Sequence, residues 1–144
     1  MKSSLQVGLS LQRRITIDRE RTIDFMGEDG RVYATPMLVH DIEHCCRDLI
    51  LEHLDDGEDS VGTAVSVQHT AATLLDMHVT VTVTIAAVEG RLVRLDVKAE
   101  DDLEPIGNGS HTRFVVDRDK TLERLKAKRL KYTRQGAEAE VAAT

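Results

Sequence analysis

Thr35, Glu43 and His69 carry the side chains of this sequence best suited to act on one another. A hydroxyl can hold or attack a carbonyl, a carboxylate can serve as base or nucleophile, and an imidazole can move protons, which is what acyl transfer requires. Thr35 stands directly before Pro36 at the mouth of a helical pattern; threonine is a good N-cap and proline suits the first helical position. A helix N-terminus also offers unpaired N–H groups and positive potential to a developing oxyanion, so capping and chemistry are compatible there. Glu43 borders the apolar side of that helix, four residues before Arg47. It reads either as half of an exposed i,i+4 pair or as a partly desolvated general base or nucleophile. His69 ends the row Val61, Thr63, Val65, Val67, and is either a hydrogen-bonded core histidine or a proton carrier.

The elements that must position these groups follow from periodicity. Residues 11–17 (LQRRITI) and 22–26 (TIDFM) read as extended, and GEDG at 27–30 as a turn. The one long helix is expected over 35–54. Leu38, Ile42, Cys45, Cys46, Leu49 and Ile50 lie on one side, and His40, His44, Arg47, Asp48 and Leu51 opposite. DDGEDS at 55–60 ends it. Three alternating runs come next: the His69 row, then Val79, Val81, Val83 and Ile85, then Val93, Leu95 and Val97. A fourth covers Ile106 to Asp117, and Glu89-Gly90 joins the second and third runs as a tight antiparallel hairpin. The expected class is α+β, an antiparallel sheet wrapped around one long central helix.

With 144 residues and no linker composition, a single domain over 1–144 is expected, with its core at about 12–117 and a basic C-terminal helix at about 118–135. No stretch has the apolar run of a signal peptide or membrane span, and adjacent Cys45 and Cys46 suit packing better than a disulfide; a cytoplasmic protein is the expectation. The net charge is −6, with eight of the 19 basic residues between Arg118 and Arg134. That segment reads as a solvated helix face or a phosphate contact. One tyrosine and no binding motif there argue against nucleic acid. His40-Asp41-Ile42-Glu43-His44 matches the H-x-x-E-H pattern of inverted zinc peptidases. Both histidines fall on the polar side, and that chemistry needs a larger fold, so no metal is expected.

VYAT at 32–35, the helix holding Glu43, EDSVGTAVSVQHTAAT at 58–73 and IGNGSHTRFVV at 106–116 together resemble the fluoroacetyl-CoA thioesterase group of hotdog-fold thioesterases. The resemblance covers about residues 12–130 and implies a hotdog fold, a homodimer with active sites at the interface, and hydrolysis of an acyl-CoA to free acid and CoA without a cofactor. By the same resemblance Thr35 orients the nucleophile or thioester, Glu43 is base or nucleophile, His69 carries protons, and the backbone at Gly62 approaches the acyl group. Gly107 and Gly109 make either a bulge in the last strand or a close approach to the pantetheine arm. Arg113 and the basic residues after Arg118 are candidates for the CoA phosphates. Two features differ from the group. MGEDGR at 26–31 carries no aromatic where fluoroacetyl-specific members have an aromatic lid, and Pro36 follows Thr35 where a small residue is usual. A short or medium acyl-CoA is therefore the expected substrate. A non-catalytic acyl-CoA-binding or ligand-binding hotdog dimer is the alternative; a hydratase is disfavoured, because its Asp/His pair has no clear match.

Overall fold

The computed structural model describes residues 1–143. Strand β1 (Ser10–Thr16) is followed by two single 3-10 turns, helix α1 (Thr35–Leu51), strands β2 (Glu58–His69), β3 (His78–Glu89), β4 (Leu92–Asp101) and β5 (Pro105–Asp117), and helix α2 (Arg118–Ala143). The five strands form one antiparallel sheet in the order β1-β3-β4-β5-β2, so β1 and β2 are its edges. Only two residues, Gly90 and Arg91, separate β3 from β4, and Gly90 takes a φ of 60° that a residue with a Cβ adopts at a cost.

The alternating valines of β3 and β4 point to one side, and α1 lays its apolar stripe on them. Leu38, Ile42, Cys45, Cys46, Leu49 and Ile50 are all buried against Val79, Val81, Val83, Ile85, Val93, Leu95 and Val97 in one cluster. Each such side chain removed from water contributes about 1.5–3 kcal/mol. Burial also raises both thiols, Cys46 to about 12, so the two free cysteines are inert packing groups.

Several sequence expectations are corrected. Residues 22–26 form no strand: Thr22 makes a single bridge to Tyr33, and its hydroxyl donates back to the Arg19 carbonyl to hold a turn. Helix α1 ends at Leu51, short of 54, and α2 runs past 135 to Ala143. Thr35 is the first helical residue and not its cap; Ala34 holds the cap position without a side-chain bond. In β2 the inward row breaks. Gly62 pairs with Arg113 and Ala64 with Thr112, so Thr63 is an extra residue that shifts the alternation by one. Glu58, Ser60 and Gly62 face inward before this bulge, and Val65, Val67 and His69 after it, whereas Val61 opposes Phe114 on the outer side.

Candidate functional site

Two clefts flank α1. The first holds Thr35 and His69, brought together by the start of α1 and the end of β2, with Ile23, Phe25, Val32, Tyr33 and residues 70–72 completing an opening of about 340 Å³. Thr35 Oγ1 lies 2.8 Å from His69 Nδ1. The hydroxyl that sequence assigned to capping is thus taken by the imidazole. His69 Nε2 is buried and has no hydrogen-bond partner. Burial lowers the His69 pKa from its ordinary 6.5, which keeps the ring neutral and able to accept a proton at neutral pH. If neutral His69 is required, the acid limb of kcat/KM against pH lies below 6.5; a limb at or above that value would remove His69 from the chemistry.

A buried network backs this pair. The Tyr33 ring meets His69 edge-on, 6.1 Å between centroids, and its hydroxyl donates to Asp41 Oδ2 at 2.5 Å. Arg21 clamps the same carboxylate through Nε and Nη2 at 3.0 and 3.1 Å. Burial pushes the Asp41 carboxyl up, but the bonds from Arg21 and Tyr33 outweigh it and hold the group below its usual value. The one acid inside the apolar stripe of α1 was the sequence signal for this network.

The second cleft, about 320 Å³, is lined by Glu43, His44, Arg47, Ser60, Val61, Gly62 and Arg113. The expected Glu43–Arg47 pair does not form: Arg47 turns to Asp59, donating to its two oxygens at 3.0 and 2.6 Å. Among the described residues nothing hydrogen-bonds the Glu43 carboxylate, which is half-buried and opens into the cleft. Gly62 makes room for it, since a methyl added there would stand 3.1 Å from Glu43 Oε1. Gly62→Ala is therefore expected to fold and to lose activity through KM and kcat together, read by steady-state kinetics beside a thermal melt.

Arg113 is only 6% exposed and stands in the wall beside Glu43. Its Nε donates to Ser60 Oγ at 2.7 Å and its Nη2 to the Ser60 carbonyl at 2.6 Å. Its Nη1 is 3.1 Å from His111 Nε2, while His111 Nδ1 is 2.8 Å from the Ala64 carbonyl. A carbonyl only accepts and a guanidinium only donates, so His111 is neutral with its proton on Nδ1. Burial, with the Arg113 charge beside it, lowers its pKa in the same direction. Sequence reading passed over His111; its alternation with Arg113 and Val115 on the inner side of β5 was the available signal. Gly107 and Gly109 meet the backbone of β2: a Cβ would lie 2.8 Å from the Gln68 carbonyl oxygen and 2.0 Å from that of Ser66, respectively.

Thr35 and Glu43, eight residues apart on α1, are separated by about 12 Å along its axis. Within one chain the structure unites Thr35 with His69 and leaves Glu43 in the other cleft. The described residues contain no cluster of three or more metal-ligating side chains, and no helix long and apolar enough to cross a membrane.

Residues 17–119 match the family described as fluoroacetyl-CoA-specific thioesterase. The fluoroacetyl-CoA thioesterase of Streptantibioticus cattleyicolor is 33% identical over 135 residues, which is 89% of this chain and 97% of that protein. The crystal structure of a variant of the fluoroacetyl-CoA-specific thioesterase superposes with a TM-score of 0.80 at 32% identity, covering 88% of this chain and 99% of the other. A thioesterase superfamily member from Thermus thermophilus gives 0.82 at 27%, covering 91% and 98%. A hot-dog-like protein from Thermanaerovibrio acidaminovorans gives 0.79 at 26%, covering 85% and 91%. The five-stranded sheet with α1 packed on it is thus a hotdog fold, and this chain, a thioester hydrolase, belongs to the fluoroacetyl-CoA-specific thioesterase family.

Proposed function

We propose that the protein hydrolyses a short or medium acyl-CoA to the free acid and CoA, in a homodimer whose active sites lie at the subunit interface. The observation that carries this reading is the Thr35 Oγ1–His69 Nδ1 bond at 2.8 Å in an open cleft, with the opposite ring nitrogen unpartnered. A related thioesterase variant has been crystallised with fluoroacetate and CoA, the two halves of a cleaved thioester. Ile23 and Phe25 give the cleft an apolar wall for a small acyl group. Phe25 is an aromatic directly ahead of the MGEDGR stretch at 26–31. In the reaction Glu43 takes a proton from a water whose oxygen attacks the carbonyl carbon, or the Glu43 carboxylate itself attacks and forms a mixed anhydride that water then hydrolyses to the free acid and the regenerated carboxylate. In either route the C–S bond breaks, and the proton given up by that water, carried by Glu43 or His69, neutralises the thiolate.

The dimer resolves the separation of the two clefts. Residues 61–66 of β2 are exposed along a sheet edge, and such an edge pairs readily with another strand. A twofold axis at the middle of this run pairs β2 with its counterpart antiparallel and sets His69 of one chain against the Glu58–Ser60 end of the other. That end borders the Glu43 cleft. Each active site then takes Thr35 and His69 from one subunit and Glu43 from the other.

The test is complementation. Glu43→Gln and His69→Ala chains, each inactive alone, are unfolded together and refolded as a mixture, and acyl-CoA hydrolysis is followed by thiol release. Random reassortment gives half heterodimers, each with one intact site, so about a quarter of wild-type activity is expected. No recovery, with heterodimers demonstrated by mass, would place all three residues in a site within one chain.

A further inference from the structure

One pair of side chains takes no part in the reaction described so far. His40 and His44 stand one turn apart on the solvent face of α1, both exposed, with ring centroids 4.2 Å apart and planes inclined by 42°. His40 Nδ1 points at Asp41 Oδ1 at 3.4 Å, which leaves its Nε2 directed outward. Asp41 is itself fixed by Arg21 and Tyr33. A carboxylate on the far nitrogen is the usual support for a metal-ligating imidazole, because it sets the tautomer and the orientation of the ring. No described residue hydrogen-bonds the His44 ring, and that ring lines the cleft that holds Glu43.

We propose that His40 and His44 chelate a divalent transition ion of the zinc, nickel or copper class, and that the bound ion closes the Glu43 cleft to substrate. The helix supplies the spacing. Histidines at i and i+4 share a face and can place two nitrogens on one ion at about 2.0–2.1 Å each. Imidazole is a good ligand for these metals, and the Irving–Williams order ranks copper above zinc and nickel. The site differs from a peptidase zinc centre. The described residues add no third histidine, cysteine or carboxylate, so the remaining positions stay with water, and the ion inhibits without taking part in turnover. The inhibition rests on the acyl-CoA reading of the Glu43 cleft, whereas the chelation does not.

The experiment therefore has two independent readouts on the full chain. Zinc and nickel chlorides are titrated calorimetrically into wild type and His40→Gln, and copper-loaded samples of both are examined by electron paramagnetic resonance. Wild type is expected to bind one ion per chain with two nitrogen ligands. His40→Gln should bind more weakly by roughly tenfold or more, at least what an outer-shell change alone costs. In the second readout, zinc should inhibit acyl-CoA hydrolysis by wild type over the range in which it binds, and chelator should restore activity. His40→Gln should turn over normally and resist zinc. Equal affinity in the two proteins would overturn the site, and binding without inhibition would overturn the closure. If neither protein hydrolyses any acyl-CoA, the calorimetry and resonance still decide the chelate, and the failure belongs to the substrate reading.

Discussion

Glu43→Gln is expected to lower kcat by about a hundredfold or more, the typical cost of losing a general base, while the melting temperature stays near that of wild type. The separation of the two effects comes from the local geometry. Arg47 is engaged with Asp59, so the amide breaks no ion pair on α1. The carboxylate has no hydrogen bond to lose among the described residues, and glutamine matches its shape beside Gly62. Buried Arg113, held by Ser60 and His111, lies in the same wall and keeps its place whether residue 43 is Glu or Gln. The measurement is thiol release across acyl-CoAs from acetyl to palmitoyl, wild type beside variant, with a thermal melt of each. Turnover that peaks at one chain length and collapses in the variant sizes the pocket and assigns the base. Wild-type turnover in the variant would leave Glu43 as a solvated acid and make the Arg113–His111 arrangement purely structural.

What sequence revealed and what it hid divide along a physical line. Helix α1 and strands β3 and β4 were legible because their side-chain periods of 3.6 and 2 run unbroken over the helix, over Val79–Ile85 and over Val93–Val97 against a single core. Strand β2 was legible as a strand but not in its facing, because the extra residue at Thr63 reverses the alternation and bulges leave no compositional mark. Thr35 was misplaced for a related reason. Local propensity favoured a cap, and a tertiary bond from His69, 34 residues away, took the hydroxyl instead. Thr35, Glu43 and His69 were nominated by side-chain type and by resemblance. Their division between two clefts could not be read in that way, since it depends on the length of α1 and on which sheet edge remains unpaired. His111 escaped because its one local signal, the alternation with Arg113 and Val115, places it on the inner side of β5 without showing that it orients an arginine.

Gly109→Ala is expected to destabilise the sheet strongly, since it carries the shortest clash among the glycine positions, and its contrast with Gly62→Ala tests how β2 is held. The added methyl of Gly109→Ala would stand 2.0 Å from the Ser66 carbonyl oxygen, 2.9 Å from its carbon and 3.0 Å from Val67 Cα. All three are backbone atoms of the paired strand, so no rotamer change relieves the clash. Relief requires β2 and β5 to part at Val67–Gly109, in the middle of the register that carries Val65, Val67 and His69 on the inner side. Overpacking against backbone costs about 3 kcal/mol or more, which for a chain of this size lowers Tm by roughly 10 °C. The methyl of Gly62→Ala meets side-chain ends, Glu43 Oε1, His111 Cε1 and Arg113 Nη1 at 3.1–3.5 Å, and these can shift by a few tenths of an ångström. Its cost falls on the cleft and not on the ladder. The melts of the two variants should therefore differ widely while both lose activity. In Gly109→Ala the loss should be accompanied by slow-refolding or aggregated material, because parting β2 from β5 frees an inner edge to pair with other chains. Equal melts would show that β2 yields at its backbone as readily as the cleft yields at its side chains, and that the sheet does not fix the position of His69.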